Sequence, residues 1–111
     1  MNNRSIEKVN FFLGELLRKV YEGKRKVTCK DRDFYVQLSS KERKVLGLGT
    51  ATGAVSVNKL IAMFILKNPT RLAGFYHFQG EYYSFLTEQE QPYFEGKTQV
   101  SLTELKRFAQ L

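Results

Sequence analysis

The sequence predicts an α+β domain, and three observations carry that expectation. Apolar residues recur at helical three-and-four spacing over residues 5–22. Two later stretches alternate with a period of two, each broken by a tight turn. A nearly all-apolar run at 60–66 is far too short to cross a bilayer, and reads as a buried helix. The expected architecture is an antiparallel sheet of four or five strands, built from two hairpins plus a short C-terminal strand. An N-terminal amphipathic helix and one buried central helix pack on it, with a short terminal helix.

Each element has its own local reason. Ile6, Val9, Leu13, Leu16, Leu17 and Val20 make one apolar stripe, with Phe12 at its edge. Ser5 is placed to cap that helix and Gly23 to stop it. From Lys26 the period drops to two, giving strands over 25–30 and 33–38 around Lys30-Asp31-Arg32-Asp33. On that alternation Val27, Cys29, Phe34 and Val36 face a core. Ser39-Ser40-Lys41-Glu42 is a capping box opening a short helix to about Leu46. Gly47 to Ser56 reads as a flexible Gly/Thr loop.

The central helix runs from about Val57 to Lys67 and stops at Asn68-Pro69. A two-residue Gln79-Gly80 turn then pairs Phe78 with Glu81, His77 with Tyr82 and Tyr76 with Tyr83. One face of this hairpin carries Tyr76, Phe78, Tyr83 and Phe85. After an irregular acidic stretch, a short strand near Gln99–Leu102 leads into a last helix from Thr103. With neither a sequence repeat nor a linker, the 111 residues are expected to form a single basic domain, 1–111.

Charge is distributed unevenly. The net charge is +7, but residues 1–46 hold 12 Lys/Arg against 6 Asp/Glu, whereas residues 47–111 hold 6 against 5. A lone cysteine permits no intramolecular disulfide, and no signal-peptide pattern opens the chain, so a cytoplasmic location is expected. Catalytic constellations are thin. Cys29 lies among Lys26, Lys30 and Arg32, which would favour thiolate, yet its alternation predicts packing. His77 sits between aromatic residues. No Cys/His cluster suits a structural zinc site, and the Gly47-x-Gly49 loop lacks the lysine of a nucleotide-binding loop. The expectation is therefore no enzyme, no metal and no cofactor.

The basic cluster is the best candidate site. Arg18, Lys19, Lys24, Arg25, Lys26, Lys30, Arg32, Lys41, Arg43 and Lys44 span a helix end, a hairpin and a helix start, with Tyr35 outward for stacking. This predicts a non-enzymatic protein that contacts the phosphate backbone of DNA or RNA. A winged-helix mode is disfavoured, because residues 57–67 have Lys59 and Lys67 as their only charges, and a groove-reading helix needs polar side chains. The alternative is a protein-interaction module such as an inhibitor, adaptor or small subunit. It would use Tyr76, Tyr82 and Tyr83 and the basic face to dock on an acidic partner or on a second copy. Neither reading involves a membrane.

Overall fold

The computed structural model describes residues 3–49 and 53–110, without side-chain detail for residues 3–6. The class is α+β, with two three-stranded antiparallel sheets in place of the one expected. The chain divides into two compact units, Met1–Val57 and Asn58–Leu111.

In the first unit, α1 (Asn3–Tyr21) begins two residues ahead of Ser5, so Ser5 lies within the helix; its side chain falls outside the described set. Leu13, Leu16, Leu17 and Val20 are buried along the expected stripe, and Phe11, off the stripe, is exposed. Gly23 at φ 74° closes the helix, and the Lys24 N–H donates back to the Lys19 carbonyl at 2.8 Å. Strands β1 (Val27–Lys30) and β2 (Asp33–Gln37) form the hairpin in the expected register. α2 (Ser40–Val45) follows its capping box. Part of the supposed loop is then a third strand, β3 (Ala54–Ser56), pairing Val55 with Val36 and Ser56 with Tyr35. A three-residue strand after glycines has too little alternation to be seen without its partner. Thr50, Ala51 and Thr52 of that loop lie outside the described residues.

The helix α3 (Val57–Lys67) opens at the last residue of the first unit. Leu60, Ile61, Ala62, Met63 and Ile65 are buried, as the lack of a polar face requires. In the second unit Asn68-Pro69 ends α3 and also starts α4 (Pro69–Ala73): the Asn68 side chain caps the Thr70 N–H, and proline suits the first helical position. The hairpin of β4 (Tyr76–Phe78) and β5 (Glu81–Phe85) has the expected pairing. The acidic stretch contains a 3₁₀ turn, Gln91–Phe94. β6 (Gln99–Ser101) adds to β5, and α5 (Leu102–Gln110) packs on β5 and β6 with Leu105 fully buried.

The two units repeat one plan. Each has a hairpin whose two turn residues both have positive φ: Asp31 and Arg32 at 52° and 71°, Gln79 and Gly80 at 50° and 82°. Each then has a Ser/Thr-x-x-Glu box, a short helical turn, a third strand paired to the second, and a helix. Tyr35, Leu38 and Glu42 correspond to Tyr83, Leu86 and Glu90. After a connection three residues shorter, Val55 and Ser56 correspond to Val100 and Ser101. Leu38, Leu86, Val55 and Val100 are all buried. The expectation of no repeat is thus corrected: the repetition lies in hydrogen-bond pattern and buried positions, and few identities betray it.

Cys29 is also corrected. It lies on the inner face by alternation, but pairs with Phe34 beside the turn, beyond the buried Val36, and is exposed.

Candidate nucleic-acid interface

A matching clasp in each unit ties the hairpin to the turn that follows it. In the first, the Arg25 guanidinium donates to both Glu42 oxygens at 2.8 and 2.6 Å, and to the Gln37 carbonyl at 2.9 Å. Glu42 also accepts from the Ser39 N–H at 2.8 Å, while Ser39 Oγ accepts from the Glu42 N–H at 3.1 Å. The Arg25 bond foremost holds the Glu42 carboxyl down to about 2. In the second unit Arg71 binds Glu90 at 2.8 and 2.9 Å and the Phe85 carbonyl at 3.1 Å, and Thr87 and Glu90 close the same reciprocal box. Glu90 is a charged side chain that is 4% exposed, and its arginine is what makes that burial tolerable.

The clasp divides the basic cluster by role. Arg25 is half-buried with its donors committed internally. Arg43, also half-buried, donates to the Gly53 carbonyl at 3.3 Å, where Gln37 donates as well, so it holds the end of the loop before β3. Arg18 is exposed but bridged to Glu15 at 2.7 Å and Glu22 at 2.9 Å, and Lys24 reaches Glu22 at 3.0 Å. Lys19, Lys26, Lys30, Arg32, Lys41 and Lys44 are exposed, and no carboxylate among the described residues forms a salt bridge with any of them. All six belong to the first unit, whose charge is +6 against +1 for the second.

Tyr35 is half-buried on the outer face of the first sheet, opposite the buried Val36 and Val55. Its companions there are Thr28, Lys30, Asp33, Gln37, Ala54 and Ser56. The outer face of the second sheet lies opposite the buried Ser84 and Val100, and carries Tyr76, Phe78, Glu81, Tyr83, Phe85, Gln99 and Ser101. The Tyr76 ring stacks on Phe85 at 4.7 Å and on Tyr83 at 5.9 Å between centroids, both at 27°. The Tyr76 hydroxyl donates to the Gln99 side-chain oxygen. Phe85 is 63% and Phe78 53% exposed. Tyr82, in contrast, is on the opposite face, edge-on to His77 at 5.0 Å, so the three tyrosines grouped from sequence do not share one surface. An open groove of about 670 Å³ runs beside β6, lined by Tyr83, Lys97, Thr98, Gln99, Ser101 and Glu104 among others.

The exposed Cys29 and exposed His77 belong to different units. Among the described residues no three His, Cys, Asp or Glu side chains gather as metal ligands, and no helix is long and apolar enough to cross a membrane. No family model, curated protein or solved structure matches this chain.

The second clasp escaped the sequence reading, though a signal existed. Leu38-Ser39-x-x-Glu42 recurs as Leu86-Thr87-x-x-Glu90, and Val55-Ser56-x-x-x-Leu60 recurs as Val100-Ser101-x-x-x-Leu105. Those paired patterns would have revealed the repeat.

Proposed function

We propose that this protein is a cytoplasmic, non-enzymatic nucleic-acid-binding protein that contacts phosphates through its first unit. The observation that carries the reading is the set of six exposed cations, Lys19, Lys26, Lys30, Arg32, Lys41 and Lys44, that lack salt-bridge partners among the described residues in the unit holding nearly all the net charge. Cations already bridged to carboxylates attract a polyanion weakly; these six are available for counterion release. Arg25 and Arg43 support the surface from below by holding the hairpin and loop in place.

Charge reversal of Lys26, Lys30, Arg32 and Lys44 together is expected to abolish binding to DNA or RNA while leaving the circular-dichroism spectrum unchanged. Equal affinity of the variant and the parent would overturn the reading.

The second reading, a protein-interaction module, is favoured by the exposed Phe78 and Phe85 on an aromatic sheet face. It predicts a homodimer or a stable complex with an acidic protein, and light scattering tests the first of these.

A further inference from the structure

Equivalent sheet faces in the two units carry different chemistry, and the difference bears on the ligand. In the first unit the outer face sets Tyr35 between Thr28 and Ser56, with Lys30 at the turn end and Arg32 in the turn. In the second unit the same positions hold Tyr83 between Tyr76 and Ser101, with Phe78 at the turn end. Thr28 has become Tyr76, Lys30 has become Phe78 and Gln37 has become Phe85, while the tyrosine and the serine on its neighbouring strand are the same. One face of one plan is therefore cationic in one copy and aromatic in the other.

Resting on the nucleic-acid reading above, we infer that the outer face of the second sheet, Tyr76, Phe78, Tyr83 and Phe85, is a stacking platform for unpaired bases. The ligand class is accordingly single-stranded nucleic acid. Three features select that occupant over a protein. The face bears aromatic rings and hydrogen-bonding side chains but no aliphatic residue, whereas an apolar protein contact draws on aliphatic packing as well. Three of its rings lie within 27° of one another in interacting pairs, and the most exposed, Phe85, offers a flat surface. Charge complementarity points the same way: the equivalent face of the first unit carries Lys30 with Arg32 beside it, and Lys97 enters the groove that Tyr83, Thr98, Gln99 and Ser101 line. These are donors and acceptors for base edges and one cation for a phosphate. The carboxylates nearby are Glu81, which accepts from the Thr103 hydroxyl at 3.0 Å, and Glu104 on the groove wall. Bases inside a duplex cannot reach such a platform, because their faces are already stacked.

The test titrates full-length protein with a labelled oligothymidylate of about 20 nucleotides and with a duplex of equal length, at one salt concentration. Phe78→Ser with Phe85→Ser alters two exposed side chains, and Phe85→Tyr restores a ring. Loss of one stacked base corresponds to about a 5- to 150-fold weaker affinity. The double variant should bind the single strand at least tenfold more weakly, bind duplex as the parent does, and recover with Phe85→Tyr. With no tryptophan in the chain, tyrosine emission should also be quenched by the oligothymidylate in the parent.

If the double variant binds the single strand normally while the four-cation reversal does not bind, the platform is overturned and the phosphate reading stands. If the parent binds neither form, both fail. A parent dimer that the Phe78/Phe85 variant converts to monomer would assign the face to a second copy, and would overturn the inference.

Discussion

Left-handed backbone at a residue other than glycine is where single side chains matter most. Glu95 has φ 58° and occupies the same place in its unit as Gly47, at φ 71°, does in the first. A side chain there costs about 1 kcal/mol, and glycine does not. Glu95→Gly is therefore expected to stabilise the second unit by about 0.5–1 kcal/mol, and Gly47→Ala to destabilise the first by about 1 kcal/mol, in urea denaturation. Glycine at 47 was legible as a helix stop. Glutamate at 95 was not legible as its counterpart, because nothing about a glutamate announces positive φ.

Between elements, the Arg–Glu clasps decide how each hairpin is anchored. Arg71→Ala would leave the Glu90 carboxylate buried with its charge uncompensated, and should cost about 3–5 kcal/mol. Arg25→Ala should cost less, about 1–2 kcal/mol, because the Glu42 side chain retains 22% exposure to water. Urea melts of the two variants check that order. Acid tests the first clasp separately. Glu42 has a folded-state value near 2 against an ordinary 4.5, so its contribution is complete above about pH 4.5 and is lost as pH falls through about 2. Glu42→Gln should be less stable than the parent at neutral pH by about 2–3 kcal/mol, and the gap should close as pH falls towards 2. The hairpins themselves were readable, since period-two alternation and a short turn are local signals. β3 was not, since three residues become a strand only when Gln37, Val36 and Tyr35 offer them hydrogen bonds.

Across the molecule, charge and aromatic surface are segregated between two units of one plan. The first unit carries +6 and the six exposed cations; the second carries +1 and the stacked rings. Binding through the first unit should fall with salt by about 0.7 log units per log unit of salt for each phosphate contacted on a single strand. Reversing Lys26, Lys30, Arg32 and Lys44 should flatten that slope, whereas Phe78→Ser and Phe85→Ser should weaken single-strand binding at every salt concentration without changing it. Titrations across a salt series distinguish the two effects, and an unchanged slope in the cation variant would detach these residues from the phosphates.

By itself the sequence determined the α+β class, the two hairpins with their registers, the helical stripe of α1 and the location of the positive charge. Each follows from a pattern within about twenty residues, where spacing alone dictates which side chains share a face. Only the tertiary structure decided that the strands form two sheets, that Arg25 and Arg43 are internal supports, and that Cys29 is exposed. It alone revealed that Arg71 and Glu90 repeat the clasp of Arg25 and Glu42. Those outcomes depend on partners 10–19 residues away in sequence, or on how far burial extends along a hairpin, and periodicity carries neither.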